Sequence, residues 1–293
     1  MTERIASREN QQIKQAVRLR ESTSERRERG LFFLEGYRLC ADALASGYVP
    51  EALFMTEAAL RKYPTASLWL RECSAPREAV SDLNVTIISE AVAEKLADTQ
   101  NPQGVFGIFA ARATCGGAPR FASLNEGRYL ALEKLQNPDN LGAIARTAEA
   151  LAIDGLVISG GCDVYHPKAL RASMGALLRL PVRRVESLPD TLRASALPSY
   201  AAVANANATP IPQCDFSRGG IVVIGNEGNG LSEGALAACE YQITIPMAGN
   251  AESLNAAAAA AIVMWEMVRH PGAAALRALR PQASALASEG GLI

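Results

Sequence analysis

The residues best equipped for chemistry sit in the last third of the chain. Glu227 and Asn229 stand inside a glycine-rich run, Gly225-Asn226-Glu227-Gly228-Asn229-Gly230. Three glycines in six positions let a backbone turn sharply and approach a ligand closely. Plain tight turns would use such glycines equally well, but they have no need of a carboxylate between them. Further on, Ser253 and Asn255 crowd the start of a helix, where free N–H groups and hydroxyls can hold polar ligands. The loop spacing is G-x-x-G-x-G, not the dinucleotide fingerprint, and no G-x-x-x-x-G-K-[ST] occurs. Nucleoside triphosphate hydrolysis therefore has no support.

Two further polar pieces lie upstream. Glu133 to Thr147 reads EKLQNPDNLGAIART. Asn137 before Pro138 favours a turn, and Asp139 or Asn140 can cap the helix that follows. Arg146 lies on an otherwise apolar helical stretch. Six residues at about 3.6 per turn put Asn140 and Arg146 about 120° apart. They can flank one site without stacking on one ridge; an arginine paired to some carboxylate is the plainer alternative. The second piece, Asp163 to Ala176, carries Lys168 and Arg171 three apart on one helix face. That pair suits phosphate contacts or a solvated surface.

These side chains need strands that end in polar loops. Ile221 to Ile224 reads as a fully buried strand, and Gln242 to Ile245 as a second one stopping at Pro246. Ser253 to Val268 reads as a long Ala-rich helix. Two neighbouring strand ends thus come close together in sequence, and open α/β sheets bind ligands beyond such carboxyl ends. Upstream, strands are expected at Leu31–Leu34, Ala52–Met55, Val85–Ile88 and Val105–Ala110. Helices alternate with them at 8–20, from Gly36 to about Ser46, from Glu57 to about Glu72, and from Ser89 to Asp98. After linker-like Thr114 to Pro119 the pattern restarts. Strands are expected at Tyr129–Leu132, Gly155–Ser159 and near Val182 and Ala201, with helices at Leu141–Ala152 and after Pro167. Five or six strands with helices between predict an α/β fold: a mostly parallel sheet covered on both faces. The expected divisions are 1–112, a small α/β unit with a basic arm; 113–127, a linker; 128–270, the main domain; and 271–293, a loosely held tail.

A net charge of −1, with 20% charged residues, excludes a protein coated in basic groups. Residues 1–30 still hold eight Arg and Lys against five Glu, a local +3. That end could meet a polyanion or lie as a solvated, internally paired helix. Six scattered cysteines form no C-x-x-C, and only His166 and His270 could join them. Neither a metal site nor a disulfide framework is expected; reduced cytosolic thiols fit. Met1 is followed by polar residues, so no secretory signal is expected, and no apolar run reaches membrane-spanning length.

Three ordered motifs go further. They are Asn140-Leu141-Gly142-Ala143-Ile144-Ala145-Arg146-Thr147-Ala148; Ile224-Gly225-Asn226-Glu227-Gly228-Asn229-Gly230-Leu231; and Ile245-Pro246-Met247 followed by Ser253-Leu254-Asn255. With Arg171-Ala172-Ser173-Met174-Gly175-Ala176 between them, they resemble the SpoU (TrmH-like) branch of the SPOUT RNA methyltransferases. The resemblance covers 128–268 closely. Residues 31–112, with Leu34-Glu35-Gly36 and Pro102-Gln103-Gly104, are similar to that family's smaller RNA-binding domain, less specifically.

The resemblance implies a C-terminal sheet tied in a deep trefoil knot, an exception to the rule against threading. It implies S-adenosylmethionine held bent in the knot, a homodimer, and metal-free methylation of a ribose 2′-hydroxyl in RNA. Carried over by position, Gly225, Ile245 and Leu254 would grip the cofactor, with Met247 nearby. Asn140, Arg146, Glu227, Ser253 and Asn255 would form the reacting centre. Lys168, Arg171 and Arg38 would meet the RNA. Ribosomal RNA is the expected substrate and transfer RNA the runner-up, in a cytoplasmic enzyme. An assembly factor that binds RNA without turnover is the alternative from another class. Guanidinium almost never gives up its proton, so Arg146 is expected to clamp a phosphate and steady a developing alkoxide.

Overall fold

The computed structural model describes residues 4–64, 85–112 and 124–269. The expected tail, most of the linker, and the end of the helical stretch from Glu57 lie outside the described residues.

The first part builds a five-stranded mixed sheet from β1 (Arg4–Ile5), β2 (Leu31–Glu35), β3 (Pro50–Thr56), β4 (Val85–Ile88) and β5 (Val105–Ala110). Its order is β1-β4-β3-β5-β2. Helices α1 (Gln11–Glu21), α2 (Thr23–Arg29), α3 (Tyr37–Ala45), α4 (Glu57–Lys62) and α5 (Glu90–Leu96) accompany it. Ser22 both ends α1 and caps α2, its hydroxyl accepting from the Glu25 N–H at 3.2 Å. The helix expected over 8–20 thus ends in a one-residue bend.

The second part is a seven-stranded sheet, every pairing parallel, with order β10-β12-β9-β11-β6-β7-β8. Its strands are β6 (Arg128–Glu133), β7 (Gly155–Ser159), β8 (Val182–Val185), β9 (Ser199–Ala202), β10 (Thr209–Pro210), β11 (Gly220–Ile224) and β12 (Tyr241–Thr244). Two-residue β10 is too short to show any periodicity, which is why the sequence suggests fewer strands. β11 and β12 follow each other in sequence but not in space, because β9 runs between them. The helices are α6 (Pro138–Ala150), α7 (Pro167–Ala172), α8 (Ala176–Arg179), α9 (Leu188–Arg193), α10 (Glu233–Ala238) and α11 (Ala256–Arg269). α6 begins at Pro138, not at the expected Leu141. Its cap is Asn137, whose side chain accepts from the Asp139 N–H at 2.8 Å; neither Asp139 nor Asn140 caps it. Proline suits the first helical position because no N–H is lost there.

Strand side chains alternate between two cores. Leu130, Leu132, Val222 and Ile224 face one, Tyr129, Ala131, Ile221 and Val223 the other. The first core runs without a break into the N-terminal part. Phe32, Tyr48 and Phe109 belong to the same cluster as Tyr165, Ala169 and Leu177, and Phe32 stacks on Tyr165 with ring centroids 4.4 Å apart. Ion pairs cross the same seam: Arg26–Asp163 at 2.7 Å, Arg179–Asp42 at 2.8 Å and Arg171–Asp98 at 2.5 Å. The two expected units therefore share one core.

Part of the basic stretch at 1–30 is held by the fold. Arg26 is buried, and its guanidinium also donates to the carbonyls of Leu19 and Arg20. Arg20 donates to the carbonyls of Lys95, Leu96 and Ala97 at the end of α5, and Arg8 pairs with Glu94. Of the eight basic residues at 1–30, Arg26 and Arg20 are thus held by packing, and the others are exposed.

Candidate active site

β9, β11 and β12 end along one cavity of about 470 Å³, within the size range of small-molecule sites. The Gly225–Gly230 loop forms one rim. Asn226 and Gly230 exchange backbone hydrogen bonds of 2.9 and 3.0 Å, folding the loop back on itself. A Cβ at Gly225 would run into the backbone of Gly230 and Leu231, and Gly230 has φ +66°. Gly225 and Gly230 therefore close the loop. Two anchors fix it from below. The Asn226 amide donates to the Lys134 carbonyl at 2.8 Å. At the far end, buried Glu133 accepts from the Ser232 N–H at 2.8 Å and from its hydroxyl at 2.6 Å. Lys134 itself has φ 51°, a strained value for a side-chain-bearing residue, and it follows Glu133 where β6 turns into the site.

Glu227 is the hub. Its carboxylate accepts from the Gln136 N–H at 3.1 Å, the Asn137 N–H at 3.2 Å and the Asn140 side-chain amide at 3.0 Å. Burial pushes its pKa up, but these donated bonds outweigh burial and hold it below the ordinary 4.5. It is therefore ionised at neutral pH and accepts only. That fixes its neighbours. Asn140 turns its NH₂ to Glu227, so its carbonyl must face Asn255, whose NH₂ donates to it at 3.1 Å. The Asn255 carbonyl is left to accept from the Ala257 and Ala258 N–H groups at 2.9 and 3.3 Å, opening α11. A carboxylate at one end and a helix N-terminus at the other orient both amides.

The comparisons with known proteins agree on one lineage. The model of the SpoU rRNA Methylase family matches residues 127–265, and that of the MRM3-like substrate binding domain matches 10–107. An uncharacterized tRNA/rRNA methyltransferase of Synechocystis is 35% identical over 274 residues, 92% of this chain and 95% of that protein. The chain belongs to the SpoU rRNA methylase family. A Bacillus subtilis 23S rRNA (guanosine(2553)-2′-O)-methyltransferase is 29% identical over 90% of this SpoU chain and 98% of its own length. The crystal structure of an AdoMet-bound rRNA methyltransferase from Sinorhizobium meliloti matches with a TM-score of 0.79 at 28% identity, over 92% and 98% of the two chains. The SpoU chain is an S-adenosylmethionine-dependent RNA methyltransferase.

Its cavity fits that cofactor chemically. Gly225, Ile245, Met247, Leu254, Ser253, Asn255 and Glu227 all line it. Met247 and Leu254 are 37% exposed, and both offer apolar surface to the cavity. Glu227 supplies a negative charge suited to a sulfonium cation. Sequence reasoning missed the wall from Ala202 to Ala204, since nothing in an apolar strand announces its place between β11 and β12. It also missed the anchors Asn226 and Glu133; a serine placed to cap α10 was the available signal for the second.

Arg146 does not line the cavity. It is exposed on α6 and, among the described residues, has no ion-pair partner, so the plain reading of a paired arginine does not hold. Lys168 and Arg38 are exposed and also away from the cavity. Arg171 is drawn into the seam by Asp98. No group of three or more metal-binding side chains occurs among the described residues, and no described helix is long and apolar enough to cross a membrane.

Proposed function

We propose that this SpoU chain methylates a ribose 2′-hydroxyl in ribosomal RNA, as a cytoplasmic homodimer whose last loops carry the knot implied by the resemblance. The observation that carries the reading is the oriented run Glu227–Asn140–Asn255 on the rim of a cofactor-sized cavity. When bound, S-adenosylmethionine supplies an electrophilic methyl carbon on a sulfonium. The chain's own residues have a positioning task. Gly225, Ile245 and Leu254 hold the donor through backbone groups, with Met247 against it. Ser253 and Asn255, exposed at the rim, offer a hydroxyl and an amide to the ribose.

Glu227 is too weak a base to take the hydroxyl proton, because its donors hold it ionised; its work is orientation. As the ribose oxygen takes the methyl carbon and the carbon–sulfur bond breaks to leave a neutral thioether, the hydroxyl proton would pass to water. Arg146 keeps its own proton and meets the phosphate beside the reacting ribose with its planar fork. Since it stands off the cavity of its own subunit, it serves the site across the dimer contact. Ile262 and Trp265, exposed on α11 where it packs on α6, support a dimer contact there. Lys168 and Arg38 add outlying RNA contacts, while Arg171 holds the seam.

The test is to incubate the protein with methyl-labelled S-adenosylmethionine and total RNA, then map the label. Ribose label in ribosomal RNA is expected. Label in a base overturns the reaction, and label in transfer RNA alone overturns the substrate.

A further inference from the structure

The seam between the two sheets holds a second cavity of about 170 Å³. Four guanidiniums line it: Arg26 and Arg27 from the end of α2, Arg112 just after β5, and Arg184 on edge strand β8. The one carboxylate there, Asp163, is already engaged. One oxygen accepts from Arg26 at 2.7 Å and the other from the Tyr165 N–H at 3.1 Å. Four positive groups less one negative leave the lining at +3. Arg27, Arg112 and Arg184 have no ion pair with any described carboxylate. Two of them are nonetheless held in place, by neutral groups only. Arg112 lies 4.1 Å over the Tyr48 ring and donates to the Ser46 carbonyl at 3.0 Å, and Arg184 donates to the Cys162 carbonyl at 3.3 Å. Guanidiniums anchored without a counter-charge make a ready site for phosphate oxygens.

The cavity also has a fixed place relative to the cofactor. Arg184 pairs in register with Ile158, Ile158 with Leu132, and Leu132 with Ile224, which lines the larger cavity. Side chains in such a row share one face of the sheet. Three strand steps of about 4.8 Å separate the row's ends by roughly 14 Å. A span of that size is within reach of one short stretch of a single RNA strand.

We propose that the seam cavity holds a backbone phosphate of the substrate RNA, a few nucleotides from the methylated ribose. This rests on the RNA reading above. The site would let both halves of the molecule grip one strand at a set spacing.

The test uses full-length Arg27→Ala, Arg184→Ala and the double variant, with Arg193→Ala as a control of equal charge. Arg193 is exposed on α9, whose buried leucines pack against the opposite face of the sheet. The probe is a ribosomal RNA fragment that the wild type methylates. The slope of log binding constant against log salt should shrink in each single variant and, in the double variant, by about 0.7–0.9, the contribution of one phosphate. It should stay unchanged in the control and recover in Arg184→Lys, with S-adenosylmethionine affinity constant throughout. If Arg184→Ala does not fold, Arg27→Ala carries the test alone. Wild-type slopes in the seam variants overturn the phosphate site while leaving the methylation reading standing; a wild type that methylates no RNA sinks that reading itself. Inorganic phosphate that raises the wild-type melting midpoint but not the double variant's, with RNA slopes unchanged, assigns the cavity to a free anion and also overturns the proposal.

Discussion

Asn140 carries more than its own contacts. Its two polar atoms are both committed, one to Glu227 and one to Asn255, so Asn140→Ala releases two partners together. Displacing a reacting group by about 1 Å can cost 100-fold, and turnover of Asn140→Ala is expected to fall by about that much. The cofactor's binding constant, read by calorimetry, should change far less, because the cavity wall does not include Asn140. Glu227 yields a prediction in pH. Its folded-state pKa is lowered from 4.5, so the stabilisation it gives the loop is complete above that value and fades as pH falls through the lowered one. Cofactor affinity is expected to stay flat from neutral pH down into the acid range before it drops. A decline already near neutrality would point to some other group. These residue types were legible in the sequence: Glu227 looked out of place in a plain turn, and Asn255 stood at a helix start. The family resemblance already groups them with Asn140 in one centre; the hydrogen bonds that join them through Asn140 link residues 87 and 115 positions apart, and only the ordered sheet sets those.

At the scale of elements, α6 matters most, since it carries both Asn140 and Arg146. Gly142 lets it sit hard against α7. A Cβ there would lie 2.5 Å from the Ala172 Cβ and 2.6 Å from the Ala169 carbonyl oxygen. Gly142→Ala gains helix propensity but overpacks this contact, and such overpacking costs about 1–3 kcal/mol. A lower denaturant midpoint is expected, with turnover reduced as α6 tilts; an unchanged midpoint would show that the two helices separate freely. The elements themselves were readable where patterns were strong. The runs expected at Leu31–Leu34 and Ile221–Ile224 lie within β2 and β11, each of which is one residue longer. The start of α6 was misread because three polar residues there could each cap, and the sequence does not reveal that proline had already taken the first helical position.

At the scale of the whole molecule, the seam decides behaviour. Arg26 and Asp163 are nearly fully buried, with side chains 2% and 7% exposed. Removing one partner of such a pair strands the other, at a cost of about 3–5 kcal/mol, whereas replacing both with apolar groups is often close to neutral. Arg26→Met alone should therefore lower the unfolding midpoint sharply, and Arg26→Met with Asp163→Leu should recover much of the loss. Equal loss in both would show that the arginine's bonds to the Leu19 and Arg20 carbonyls matter more than the pair. None of this was visible in a chain read as two units with a linker, since charge counts do not say which arginines go inside. The shared core of Phe32 and Tyr165 has one more consequence. A chimera made to address a new RNA by exchanging the first hundred residues would inherit a mismatched joint unless the contacts around Tyr165 were transplanted too.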